Sequence, residues 1–321
     1  MSLSTPVAFL IFNRPDLTEI VFKAIAQAKP KKLFVVADGP RFPEEADKCQ
    51  RARAVVNKID WDCDIFTNFS ETNLGCKLRV FSGIDWVFSQ VDEAIFLEDD
   101  CLPDASFFSF CQTLLARYRD DSRIMHIGGG NFLFNQVRIE ASYYFSRYAF
   151  AGYGWASWKR AWNHYDPNMK SWPEFKENGL VGAIFEDEFE RDFWAQMLDK
   201  TFIGDIDTWD FQWFYTCWCQ GGLSILPSVN LVSNLGFRPD ATHTKAHDEN
   251  PPLANLKTSS LETILHPRFL VRNKAADTCV FNLISRRGER TENNKFIDVA
   301  RTYLSTVRQR ATRLLQFKSS I

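Results

Sequence analysis

The sequence predicts an α/β fold: a mostly parallel sheet with helices on both faces. Two observations carry this. Short apolar runs recur at residues 7–12, 33–37, 64–66 and 94–97. Between them stand longer segments of mixed polarity, so that β-α units repeat about every thirty residues, the alternation that builds parallel sheets.

Each element has its own local reason. Residues 7–12 are wholly apolar and are closed by Asn13-Arg14-Pro15. Proline suits the first turn of a helix, so a helix is expected from Pro15 to about Ala28. Lys29-Pro30-Lys31-Lys32 is a turn, 33–37 a second buried strand, and Asp38-Gly39-Pro40-Arg41 its exit. A charged helix over 44–58 and a short strand at 64–66 follow. Asn73-Leu74-Gly75 leads into a helix over 77–89, and 94–97 is the fourth strand. Pro103 and Asp104 open a Phe-rich helix through Tyr118. The polar residues after strands one, two and four then meet along one sheet edge: Asn13 and Arg14, Asp38, and Glu98 to Asp100.

The fourth strand ends in Glu98-Asp99-Asp100. A buried strand has no reason to collect three negative charges at its tip, because they repel and are costly to desolvate. A hard divalent cation, often with phosphate on its other side, is the usual remedy. Strand carboxyl ends are also where open α/β sheets bind ligands. A solvated acidic turn is the plain alternative.

After about residue 121 the rhythm changes. Strands are expected at 124–127, 143–146, 223–226 and 230–232, and helices over 158–164, 187–198 and from Trp209 to about Gly221. His126, in an apolar strand, reads as a satisfied core histidine. Beyond His247 the composition turns polar, and a basic helix is expected over 297–317.

The net charge of −2 gives no sign of nucleic-acid binding. Aromatic residues are abundant at 15%, with 29 Phe and 10 Trp, so Trp155 and Trp158 are read either as core or as a sugar platform. Eight cysteines lack the paired spacing of a zinc site, and reduced thiols in a cytoplasmic setting are expected. No apolar run reaches the length of a signal core or a membrane span.

Several of these features, in order, resemble the nucleotide-sugar-dependent GT-A glycosyltransferases. More narrowly they resemble the branch around N-acetylglucosaminyltransferase I and bacterial GT2-like proteins, some of them labelled hemolytic. The matching pieces are Asn13-Arg14-Pro15, Ala37-Asp38-Gly39, Glu98-Asp99-Asp100, Pro103-Asp104-Ala105-Ser106-Phe107-Phe108, Gly152-Tyr153-Gly154-Trp155, Trp209-Asp210 and His243. They span about residues 5 to 245.

The resemblance implies an inverting glycosyltransferase on a GT-A fold. A nucleotide-sugar-binding half (1–121) and an acceptor-binding half (122–248) would form one domain, followed by an extension (249–321). It gives Asp38 the nucleotide base, and sets Asn13 and Arg14 near the diphosphate or base. Arg79, and more weakly Lys77, would flank the nucleotide. Glu98 and Asp99 would face ribose and donor sugar, Trp155 and His243 would join the donor site, and Asp100 would bind Mn²⁺ or Mg²⁺. Asp210 would be the general base. A UDP-sugar is the favoured donor, and a glycan or lipid-linked molecule the acceptor. The acidic pair that the family carries after Trp is here Asp210-Phe211-Gln212, so the register of the base is open by one or two residues.

Elementary chemistry accords with these roles. A nucleoside diphosphate leaves readily only when its developing charge is neutralised. An acceptor hydroxyl needs a carboxylate within hydrogen-bond reach. Aromatic neighbours would desolvate Asp210 and strengthen it as a base. Asp210 as a plain helix cap is the simpler reading of that residue, as a turn aspartate is of Asp38 and a loop histidine of His243.

Other function classes are compatible with the same sequence. One is a non-catalytic nucleotide-sugar or glycan binder on the same scaffold, which donor hydrolysis would separate. A membrane-lytic protein is disfavoured by the lack of a spanning segment. A nucleotidyltransferase wants a Gly-rich loop after strand one, which Asn13-Arg14-Pro15 is not. The basic C-terminal helix, with Val307, Ala311, Leu314 and Leu315 at helical spacing, suits either an anionic membrane surface or packing on the chain's own domain. The expected location is therefore cytoplasmic, soluble or peripheral at the inner membrane face.

Overall fold

The computed structural model describes residues 2–237 and 256–285. In chain order the elements are β1 (Val7–Ile11), α1 (Pro15–Ala28), β2 (Lys32–Ala37), α2 (Ala46–Arg53), β3 (Asp64–Phe69), α3 (Gly75–Phe88), β4 (Glu93–Glu98), β5 (Cys101–Pro103), α4 (Ala105–Arg117), β6 (Ile124–Gly128), β7 (Tyr143–Ser146) and β8 (Trp155–Trp158). There follow α5 (Lys159–Trp162), α6 (Trp172–Glu177), α7 (Val181–Ile184), α8 (Glu188–Phe202), α9 (Asp210–Cys219), β9 (Leu223–Pro227), β10 (Val232–Asn234) and α10 (Lys274–Ser285).

Among the described residues, eight strands form one sheet in the order β3-β2-β1-β4-β8-β6-β9-β7. β3, β2, β1 and β4 are mutually parallel, as the β-α repeat predicts. β8 enters antiparallel between β4 and β6, and β7 closes the far edge antiparallel to β9. The register is decisive for function. Ile11 pairs with Ala37 and Leu10 with Glu98, so β1, β2 and β4 end level along one edge. The residues that follow them therefore stand side by side.

The helices cover the sheet for ordinary reasons. Pro15 opens α1, and Lys29 in the left-handed region (φ 48°) closes it. Leu17, Val21, Phe22 and Ile25 fall on one face and are buried, each stabilising the fold by roughly 1.5–3 kcal/mol. Asp104 caps α4, its side chain accepting from the Ser106 amide at 2.9 Å.

The aromatic excess goes into the core. Trp155 stacks on Phe96 with ring centroids 4.6 Å apart, and Trp158, Trp172, Trp194 and Trp213 are fully buried. His126 is buried among them. Trp213 Nε1 donates to its Nδ1 at 3.2 Å, which makes Nε2 the protonated nitrogen, donating to the Phe150 carbonyl at 3.2 Å. Burial pushes its pKa down to about 3, so it is the neutral core histidine expected. All eight cysteines are free thiols.

The structure differs from expectation in several places. The residues before α4 form β5, which pairs with β10, Asn234 opposite Cys101. Residues 155–158 form a strand, so the helix expected from Trp158 begins only at Lys159; all four strand residues are buried, with Trp155 and Trp158 on opposite faces, as suits a strand covered on both sides. The short helices α6 and α7 and the helix α10 were not anticipated. The expected helix over 297–317 and His243 lie outside the described residues. No helix among the described residues is long and apolar enough to cross a membrane.

Candidate active site

A cleft opens over the carboxyl ends of β1, β2 and β4. Phe12, Arg14, Asp38, Arg41, Asn73, Arg79, Glu98, Asp99, Asp100, Thr208, Trp209, Asp210 and Asn234 line it. Parallel strands that end level bring the exits of β1, β2, β3 and β4 together. The start of α9 and the end of β10 complete the walls.

Among the described residues the carboxylate cluster has one close cation. Arg14 Nη2 pairs with Asp99, and its Nη1 lies 2.9 Å from Asp100 Oδ2. The Phe12 amide donates to Asp99 Oδ2 at 3.3 Å. Burial works against charging Arg14, but the two aspartates outweigh it and raise its pKa. Glu98, on the cleft wall, is pushed up to about 8 by desolvation and then by the charges of Asp100 and Asp99; Asp210 adds to the effect. Asp99 is raised by desolvation, against which Arg14 acts.

Asp99 and Asp100, with Glu98 beside them, outnumber the one bridging guanidinium among the described residues, and oxygen donors of this kind fit a hard divalent cation. No three His, Cys, Asp or Glu side chains among the described residues converge as a ready-made cage. An ion held by Asp100 would complete its shell with water and ligand phosphate, as magnesium sites commonly do.

Asp38 is buried, and the chain itself engages its carboxylate. Oδ1 accepts from the Gly39 and Leu74 amides, each at 2.9 Å. Oδ2 accepts from Asn73 Nδ2 at 2.9 Å and the Gly75 amide at 3.1 Å. A carboxylate has about four acceptor sites, and here all are taken. Asp38 thus buckles the β2 exit to the start of α3. Gly39 permits the approach, since a Cβ there would come within 2.5 Å of the Thr72 backbone.

Arg79 lies beneath the cleft. Its Nε donates to the Ala37 carbonyl at 3.1 Å, and Nη2 donates to the Asn68 carbonyl and to Asn68 Oδ1. Desolvation lowers its pKa. Asp210, also in the lining, opens α9 and accepts a hydrogen bond from the Thr208 hydroxyl. The Tyr165 hydroxyl donates to the Trp209 carbonyl at 2.9 Å and fixes that turn.

The structure brings Arg14, Asp38, Arg79, Glu98, Asp99, Asp100 and Asp210 to one cleft. Of the other expected residues, Trp155, Asn13 and Lys77 stand outside that lining, and His243 lies outside the described residues. Trp155 is 2% exposed and sandwiched in the core, so it offers no face to a donor. Asn13 turns away to Glu45, donating to Oε1 at 3.0 Å, in a neighbouring groove. Lys77 is half-buried on α3 and is not part of the lining.

Sequence reasoning missed Arg41, Asn73, Thr208 and Asn234 as lining residues. Arg41 directly follows the Asp38-Gly39-Pro40 turn and holds Glu45, and its guanidinium lies 5.2 Å from the Phe12 ring centre. Its place after that turn was a usable signal. Asn234 carried none, because it arrives through pairing with β5.

No family model matches the chain, and no curated protein is similar to it. Among solved structures, the chain is similar to a CMP:2-keto-3-deoxy-manno-octonic acid synthetase complexed with CTP. That match has 16% identity and a TM-score of 0.33, over 55% of this chain and 83% of that one. It is also similar to a 4-diphosphocytidyl-2C-methyl-D-erythritol synthase from Anaerococcus prevotii DSM 20548, at 11% identity and a TM-score of 0.32, over 50% and 74%. A UDP-glucose pyrophosphorylase complexed with UDP-glucose matches at 8% identity and a TM-score of 0.30, over 52% and 82%. Likenesses at this level decide no function; the chemistry of the cleft must do so.

Proposed function

We propose that this chain is a metal-dependent, inverting glycosyltransferase on a GT-A scaffold. It moves a sugar from a nucleoside-diphosphate donor to an acceptor hydroxyl. One observation carries the reading. The Glu98-Asp99-Asp100 tip of β4, with Arg14 against it, shares one cleft with Asp210, at the sheet edge where nucleotide ligands bind α/β folds.

The residues divide the work by chemistry. Asp38 and Arg79 hold the β2 exit and the start of α3 as one wall for the nucleoside. Arg14 and Arg41 supply fork-shaped cations suited to phosphate oxygens. A Mn²⁺ or Mg²⁺ ion on Asp100 would neutralise the charge developing on the leaving diphosphate. Glu98, protonated near neutrality before ligand arrives, can donate to a donor hydroxyl. Asp210, oriented by Thr208, takes the proton of the attacking acceptor hydroxyl from the face opposite the diphosphate, which inverts the anomeric centre. The acceptor is a glycan or a lipid-linked molecule presented on the α9 side.

A thermal-shift panel tests the reading: UDP-, GDP-, dTDP- and CMP-linked sugars, each with and without Mn²⁺. A true donor stabilises the fold by mass action, and only with metal if Asp100 holds the ion. No stabilisation by any member of the panel would sink the proposal.

A further inference from the structure

Arg14 stands where a cation belongs. Its guanidinium bridges Asp99 and Asp100, with Nη1 2.9 Å from Asp100 Oδ2. Asp100 is enclosed elsewhere as well. Cys101 Sγ lies 3.6 Å from Oδ1, and Gly236 packs over Oδ2 so tightly that a Cβ there would stand 2.2 Å away. The carboxylate that the proposed function gives to a divalent ion already holds a guanidinium on Oδ2. Two cations on one carboxylate repel strongly at such range. Yet a guanidinium fork fits a phosphate as well as a carboxylate.

We propose that Arg14 is the resident counter-cation of the cleft. It keeps free divalent ions off Asp100. It releases that carboxylate only when an ion arrives with a nucleoside diphosphate, whose phosphate oxygens accept the freed fork. The inference rests on the function proposed above and deepens it. Its consequence is ordered loading: metal and diphosphate bind as a strongly coupled pair, and the empty cleft does not collect metal. By linkage, each ligand then tightens the other by the same factor.

The test is Mn²⁺ binding, followed by calorimetry or paramagnetic resonance on the full chain, with Mn²⁺ alone and with UDP or GDP present. Wild type is compared with Arg14→Met and Arg14→Lys. In wild type, the diphosphate should tighten Mn²⁺ by at least about tenfold, within the usual range of such couplings. Arg14→Met should bind Mn²⁺ alone about tenfold more tightly than wild type, with the coupling reduced by the same factor, the remainder coming from direct contact between metal and phosphate. Arg14→Lys keeps the charge but holds one carboxylate at a time, and should fall between the two. If wild type binds the diphosphate with Mn²⁺ while neither variant gains affinity for Mn²⁺ alone, Arg14 is no competitor. The proposed function then stands without this inference. Tight Mn²⁺ binding by wild type without diphosphate overturns the inference as well. If neither diphosphate binds wild type at all, the functional reading fails and the inference falls with it.

Discussion

Gly236 lies against the Asp100 carboxylate, where a Cβ would stand 2.2 Å from Oδ2 and 2.9 Å from Asn234 Oδ1. The contact is built by pairing. Leu235 donates its amide to the Asp100 carbonyl at 2.8 Å, Gly236 donates to Asn234 Oδ1 at 2.7 Å, and Asn234 Nδ2 donates to the Gly152 carbonyl at 2.9 Å. These bonds make the end of β10 a lid on the strand-tip carboxylate. Gly236→Ala should therefore rotate Asp100 away from its position. Mn²⁺-dependent nucleotide affinity is expected to fall about tenfold, or roughly 1.4 kcal/mol. Calorimetry with and without Mn²⁺ checks this, and an equal loss in both conditions would place the effect elsewhere.

Asp210 is held by the Thr208 hydroxyl at the start of α9, in the same cleft as Glu98. Asp210→Asn keeps the shape and loses the base. Donor affinity should stay within about twofold, while turnover falls at least ~100-fold, the usual scale for a general base. Single-turnover kinetics at saturating donor and acceptor separate the two quantities. Thr208→Val should cost less, because it removes only the orienting hydrogen bond. Undiminished turnover in Asp210→Asn would move the base to another carboxylate.

Asp38 predicts a different signature. Its four accepted hydrogen bonds come from Gly39, Leu74, Asn73 and Gly75. Asp38→Asn turns one acceptor into a donor facing donors, which costs about 1–3 kcal/mol in a buried site. Urea unfolding should show that loss alongside weaker nucleotide binding. Weaker binding with an unchanged urea midpoint would instead mean that Asp38 touches the nucleotide directly, as the family resemblance implies.

The parallel half of the fold was legible because its signals are local. Apolar runs, Pro15 at a helix start and carboxylates at a strand tip need no distant partner to be read. Trp155 was not legible in the same way: a tryptophan after Gly154 looks alike in a core and on a sugar platform, and only its neighbours Phe96, His126 and Trp213 decide. Asn234 and Gly236 reach the site through β5 and β10, across more than a hundred residues of sequence. Long-range pairing of that kind leaves no local trace. Asp38 was found for its position, but its hydrogen bonds with residues 73–75 could not be read from the turn alone.

His126 makes the fold itself sensitive to acid. It is buried and neutral, accepting from Trp213 Nε1 and donating to the Phe150 carbonyl. Desolvation lowers its pKa from 6.5 to about 3. The sign follows from proton counting. Between those values the unfolded chain binds a proton that the folded chain refuses, so stability is complete above about pH 6.5 and falls as pH drops towards 3. One proton corresponds to about 1.4 kcal/mol per pH unit, so roughly 2 kcal/mol should be lost by pH 5. His126→Gln keeps one acceptor and one donor but cannot take the proton. It is expected to be less well packed at every pH, and its stability should decline less steeply between pH 7 and 5. Urea midpoints of both proteins across that range measure the slopes directly. Parallel slopes would mean that the ring takes up its proton in the fold as readily as in the unfolded chain, and that the indole and carbonyl contacts do not hold it neutral.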